Sequence, residues 1–180
     1  MNIVVLSNII GGIGMSMFLI SSLIKSKRNI LNVQNLGHII GIIAEAMSQT
    51  YSSIVQEIIS IIRNLITLKG KNSHAMNVFL VSIGAIIGII INIVVDGNLW
   101  YGYLPVIGNA EYTFCVVNDR LIDEKHLKLS LAASNFLWAI YFLLCGLYVS
   151  GIFNIVVGCT SLYSFFTYGT TNQDELALEQ

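Results

Sequence analysis

An all-helical bundle that crosses a lipid bilayer seven times is the fold this sequence predicts, and three observations predict it. The 180 residues are 55% hydrophobic and only 11% charged, with a mean hydropathy of +0.75, too apolar a balance for a water-facing surface of this size. Apolar runs of membrane-spanning length recur along the whole chain. Lys and Arg gather in every second break between those runs, as the positive-inside bias requires.

The first run, 3–24, crosses the hydrocarbon thickness without an ionisable side chain. A cleaved signal peptide needs a basic start, a shorter apolar core and a small-residue cleavage site; Met1-Asn2 leads straight into the run, so the first helix is expected to stay attached. After the charged residues 25–28 come runs 33–49 and 53–68. The polar cluster Ser48-Gln49-Thr50-Tyr51-Ser52-Ser53 is turn-like, which makes these two antiparallel spans rather than one long helix. The fourth run, 76–95, follows Lys69 and Lys71. The fifth, 99–117, opens with Trp100, Tyr101 and Tyr103, amphipathic rings suited to the outer interface. The sixth, 127–148, meets the seventh, 150–168, where Gly146, Ser150 and Gly151 permit a short helix–helix turn. Residues 169–180 form the tail of a single membrane domain, 1–180.

Charge sets the orientation. With the amino terminus outside and the carboxyl terminus in the cytoplasm, all nine Lys and Arg (Lys25, Lys27, Arg28, Arg63, Lys69, Lys71, Arg120, Lys125 and Lys128) lie in cytoplasmic breaks or near the span ends that face them. The external connections hold only Asp96, and an even number of spans breaks this pattern. A net charge of −1 without a Lys/Arg cluster gives no reason to expect a nucleic-acid partner. Cys115, Cys145 and Cys159 sit in apolar runs without paired spacing, so neither a disulfide framework nor a zinc site is expected. His38, His74 and His126 are widely separated, and no nucleophile or paired-carboxylate spacing occurs, so the chain is expected to be no enzyme and to need no cofactor or metal. A retinal protein is excluded by the lack of Lys in 150–168.

Sliding the chain on itself by about 97 residues aligns helices with helices. Ile10-Gly11 meets Ile107-Gly108, residues 25–28 meet 122–125, Ile43 meets Ile140, and Tyr51 and Ser53 meet Tyr148 and Ser150. The expected organisation is therefore 3+1+3: a three-helix repeat over 3–68, a linker helix at 76–95, and a second repeat, parallel to the first, over 99–168.

The segment Gln34-Asn35-Leu36-Gly37-His38, through Thr50-Tyr51-Ser52-Ser53 to Arg63-Asn64-Leu65, with the preceding Lys25-Ser26-Lys27-Arg28 loop, resembles the YgjV-type family of bacterial inner-membrane proteins. Ser134-Asn135-Phe136-Leu137-Trp138, Tyr141, Gly146 and the last helix are similar to that family's second repeat. The resemblance implies a multi-pass protein of the bacterial cytoplasmic (inner) membrane and brings no particular activity with it. By architectural analogy, the duplicated layout resembles SWEET-type sugar transporters, PQ-loop proteins and PnuC-type vitamin transporters. No Pro-Gln pair occurs here, and the single proline, Pro105, falls opposite Asn8, so a PQ-type hinge in both halves does not carry over.

Ionisable groups inside spans cost roughly 2.5–3.5 kcal/mol on insertion scales, so each needs a partner, an aqueous cavity or an interface. Five qualify: His38, Glu45, Glu57, Arg63 and Glu111. His38 and Glu45 share one helix face, with Gly41 between them leaving room for a solute; the competing reading lets each reach water or a carbonyl. Glu57, Ser60 and Asn64 share a face of the third run, overlapped by Gln56, Ser60 and Arg63. At the repeat offset Glu57 falls on Asn154 and Asn64 on Ser161. Such stripes either line a solute path or bond helices together, and Arg63 can also snorkel to phosphates. Asn135 and Trp138, one turn apart, form a pair that can stack and hydrogen-bond a planar or sugar-like ligand, or simply pack. Gly37 with Gly41, and Gly84 with Gly88, have the spacing of close helix contacts.

The expected solute cavity thus draws on Gln34, His38, Glu45, Glu57, Arg63, Asn64, Asn135, Trp138, Asn154 and Ser161, with the second, third, sixth and seventh helices as its walls. A small-solute transporter or facilitator is the leading expectation, its partners being the bilayer and a small polar solute. The alternative is a structural or partner-binding membrane protein that acts through the acidic tail Asp174-Glu175-Leu176-Ala177-Leu178-Glu179.

Overall fold

The computed structural model describes residues 2–24, 26–70, 73–117 and 124–178, and over these the chain is helical apart from its turns. The helices are α1 (Ile3–Leu23), α2 (Lys27–Met47), α3 (Tyr51–Leu68), α4 (His74–Val94), α5 (Leu104–Val117), α6 (Glu124–Leu144) and α7 (Tyr148–Leu178), with a 3-10 turn, Trp100–Tyr103, leading into α5. Among the described residues four stretches are long and apolar enough to cross a membrane: Ile3–Ser21, Arg28–Met47, His74–Val94 and Tyr148–Thr167; Lys128–Leu144 is a shorter apolar helix. α3 stands outside that set because a polar stripe runs down it, and α5 because it has only 14 residues.

Boundaries differ from the sequence reading where polar residues continue a helix. α2 begins at Lys27 rather than at residue 33, and α7 runs on to Leu178 through the segment expected to be a tail, since neither stretch contains a proline to stop it. The run expected over 99–117 is broken at its start. Pro105, near the start of α5, lacks only an N–H that a first turn leaves unbonded, and the residues before it coil as the 3-10 turn.

Two helix starts are capped from elsewhere in the chain. Thr50 makes no side-chain cap for α3; instead Asp96, beyond α4, accepts from Tyr51 N (3.2 Å) and Ser52 N (2.8 Å). Asn8 of α1 accepts from Val149 N (3.0 Å) at the start of α7 and donates to Gly146 O (3.0 Å) in the α6–α7 turn. Gly146 takes a φ of 77° there, a left-handed conformation that glycine adopts without strain.

Each helix packs on its neighbours so that α1, α2, α3, α5, α6 and α7 close a ring, with α7 back against α1; α4 lies outside, on α3 and α5. The interior of the ring is polar: Ser52, Ser53, Gln56, Glu57, Ser60, Arg63 and Asn64 are buried on α3 alone. The outside is apolar, with Phe79, Ile86, Ile90, Ile93 and Val94 of α4 and Ile9, Ile13 and Ile20 of α1 exposed. A soluble protein inverts this order; lipid permits it, because an aliphatic surface costs nothing there and every polar group must find a partner inside. Where α1 meets α2 the backbones nearly touch, and a Cβ at Gly37 would lie 2.8 Å from Phe18 Cε2 and 3.1 Å from Gly14 O.

Candidate functional site

Inside the ring lies a cavity with about 80 Å³ of room for water centres, enough for several waters or one small solute. Six helices wall it: Met15 and Phe18 from α1, Gln34 and His38 from α2, Glu57, Ser60 and Arg63 from α3, Asn109 and Tyr112 from α5, Leu131, Ser134, Asn135, Trp138 and Phe142 from α6, and Asn154 from α7.

The α3–α5 wall is knitted by hydrogen bonds. Asn109 Nδ2 donates to Gln56 Oε1 (2.9 Å), and its Oδ1 accepts from Ser60 Oγ (3.0 Å) and Arg63 (3.4 Å). Gln56 Nε2 reaches on to Gly84 O of α4 (2.9 Å), tying the outer helix to the ring. Arg63 is deeply buried: Nη1 donates to Thr113 Oγ1 (2.8 Å), Nε and Nη2 donate to Asn64 Oδ1 (3.2 Å each), and the guanidinium stands 5.1 Å over the Tyr112 ring. Asn64 Nδ2 in turn donates to Asn35 Oδ1 of α2 (3.0 Å).

The opposite wall is looser. Asn135 donates to Leu131 O (2.7 Å) and Asn154 to Ser150 O (2.9 Å), each amide bonding the carbonyl four residues back in its own helix, with Met15 Sδ 3.5 Å from the second amide. Trp138, on the same wall, packs against Phe142, ring centroids 5.3 Å apart. At the α2 wall His38 Nδ1 contacts Glu57 Oε2, an imidazole–carboxylate pair buried on both sides, and Phe18 meets the His38 ring edge-on at 4.8 Å. That arrangement can present a solute with amide donors and acceptors, one guanidinium, an exchangeable proton and an aromatic face.

Of the residues expected at a cavity, Gln34, His38, Glu57, Arg63, Asn135, Trp138 and Asn154 line this one. Glu45 does not; it accepts from Ser53 Oγ (2.8 Å) beside a smaller space near the α2–α3 turn. Asn64 lies behind Arg63, and Ser161 is buried on α7 away from the lining. Glu111 is half-buried on α5, also off the lining. Sequence reasoning missed Asn109, Tyr112 and Ser134, along with the part played by α1 and α5. The spacing of Asn109 and Thr113, one turn apart in an apolar run, was the available signal. Among the described residues no group of three or more His, Cys, Asp or Glu is placed to hold a metal ion.

A polar cavity enclosed by a ring of helices with an aliphatic exterior defines an integral membrane protein of the multi-pass helical class. The chain belongs to the family Imp-YgjV, described as bacterial inner membrane protein, whose family model matches residues 5–172. Its setting is accordingly the bacterial inner membrane. No curated protein and no solved structure matches the chain.

Proposed function

We propose that this protein is a small-solute transporter or facilitator with seven spans in a 3+1+3 arrangement, its solute held in the cavity inside the ring and moved without covalent change. One observation carries the reading: the cavity is lined by residues that pair at the offset of about 97 residues. His38 pairs with Asn135, Glu57 with Asn154, Met15 with Tyr112 and Gln34 with Leu131, and both members of every pair face the same space. The helix contacts support the same exchange. Replacing α1, α2 and α3 by α5, α6 and α7 turns the α1–α2, α2–α3 and α3–α5 contacts into α5–α6, α6–α7 and α7–α1. α3 and α5, whose polarity or length falls short of an independent span, cross as members of the bundle. The amino terminus is outside and the carboxyl terminus cytoplasmic, as the distribution of Lys and Arg requires.

The solute class is small, polar and partly planar, fitted to amides opposite a guanidinium with Trp138 as a flat wall. A thermal-stability screen of detergent-purified protein against sugars, nucleosides, vitamins and amino acids tests this. A true ligand at about 100 times its Kd stabilises by about 2.7 kcal/mol, and Asn135→Ala or Glu57→Gln abolishes the gain. Stabilisation that survives both substitutions places the ligand elsewhere, and silence across the whole screen favours a closed polar core that only holds the helices together.

A further inference from the structure

Two residues of the cavity lining, His38 and Glu57, belong to a cluster that reaches beyond the cavity to Glu45. Gly41 of α2 lies between two carboxylates: a Cβ built there would sit 3.9 Å from Oε1 of Glu45 and 3.9 Å from Oε1 of Glu57. Both acids line a second space, with about 10 Å³ of room, the size of one water. On the side of the main cavity Glu57 Oε2 contacts His38 Nδ1, and on the far side Glu45 Oε2 accepts from Ser53 Oγ near the outer end of α2. His38, Glu57 and Glu45 therefore run in file from the solute cavity toward the outer turn.

The two acids outnumber the permanent positive charge near them: Arg63 acts on Glu57 through space, and the charge that acts on Glu45 is that of Glu57. α1 has no ionisable residue, α4 has none beyond His74 at its far end, and α7 turns Ser150 toward the small space and Asn154 toward the large one. α6 brings Tyr141 and Cys145 near Ser53 and Glu45, α5 brings Tyr112, and Asp96 is engaged in capping α3. Arg63 is the permanent cation of this region, and its donors go to Asn64, Asn109 and Thr113. Two like charges across a water-sized gap in lipid-embedded protein repel strongly. A proton relieves the repulsion and needs no coordination shell, and an imidazole–carboxylate contact can hold it on either partner.

We propose that His38, Glu57 and Glu45 form one proton-binding site, loaded from the outer side at Glu45 and presented to the solute cavity by Glu57 and His38. A protonated Glu45 gives its proton to a water in the small space; that water passes one of its own to ionised Glu57, leaving Glu45 ionised and the water unchanged. The site's use as a coupling device rests on the transport reading, while its existence does not.

Infrared difference spectra of the full chain in proteoliposomes, switched between acid and alkaline buffers, test the site without any solute. Wild type is expected to gain a protonated-carboxyl signal on acidification that weakens in Glu45→Gln and in Glu57→Gln and is missing from the double variant. Gly41→Ala, whose new methyl meets both acids at ordinary contact distance, is expected to move the pH at which the signal appears while keeping every acid. A double variant and a Gly41→Ala chain that both reproduce the wild-type spectra overturn the proposal. So does a signal that follows sodium at fixed pH, which assigns the acids to a metal cation. Once a solute is known, an outer-acid gradient of about one pH unit accumulates it up to about tenfold for one-to-one coupling. Solute movement with silent carboxyls sinks the proton site and spares transport; titrating carboxyls in a protein that moves nothing do the reverse.

Discussion

At the scale of single residues, Asn109 ties the α3–α5 wall together. Its amide engages Gln56, Ser60, Arg63 and Thr113, and all five side chains are buried. An interhelical hydrogen bond in a membrane averages about 0.6 kcal/mol, and Asn109→Leu removes several at once while stranding part of the Arg63 fork. A loss of about 2 kcal/mol is expected, visible as a lower Tm in detergent. Arg63→Lys is expected to unfold nearly as early as Arg63→Ala, because a single ammonium cannot reach both Asn64 and Thr113 as the guanidinium does. A Lys variant as stable as wild type contradicts this account of Arg63. The polar stripe of α3 was legible in the sequence because helical spacing gathers Glu57, Ser60, Arg63 and Asn64 onto neighbouring faces. The partner wall was only hinted at: Asn109 and Thr113 stand one turn apart in an apolar run, which marks a polar face, but what that face meets depends on how α5 is rotated against α3.

At the scale of elements, the two borrowed caps make unequal predictions. Asp96 accepts from Tyr51 N at one carboxylate oxygen and from Ser52 N at the other, so Asp96→Asn keeps one of the two acceptors and Asp96→Ala loses both, at a cost of about 0.5–2 kcal/mol. Asn8 both accepts from Val149 N and donates to Gly146 O. Asn8→Asp sets a carboxylate against that carbonyl and is expected to lower Tm more than Asp96→Asn; the reverse order in thermal unfolding contradicts the cap assignment. The α1–α2 contact offers a steric test: Gly37→Ala meets Phe18 and the Gly14 carbonyl and should cost about 1–3 kcal/mol. Hydrophobic runs located every helix, since length and apolarity are local properties. Ends were harder, because polar residues at α2 and α7 extend the helix outside the apolar span, and because the apolar run that leads into α5 opens as a 3-10 turn ahead of Pro105.

At the scale of the whole molecule, the ring of α1, α2, α3, α5, α6 and α7 turns polar side chains inward and aliphatic ones toward lipid, and the proposed function needs that interior to communicate with water. The charge distribution gives a matching prediction of orientation. A cysteine at Asn98 reacts with an impermeant maleimide added to intact cells, whereas one at Gly70 reacts only after the membrane is opened. The measurement that bears most directly on the central claim is thiol access to the cavity itself. With Cys115, Cys145 and Cys159 replaced by alanine, Asn135→Cys in proteoliposomes is treated with a small charged thiol reagent, beside Ile140→Cys, whose position, well inside the apolar stretch of α6, is 45% exposed on the outside of the bundle. A water-connected solute site predicts that Asn135→Cys reacts rapidly while Ile140→Cys, facing lipid, does not. An Asn135→Cys as inert as Ile140→Cys would mean a closed polar core, and the transport reading would fail.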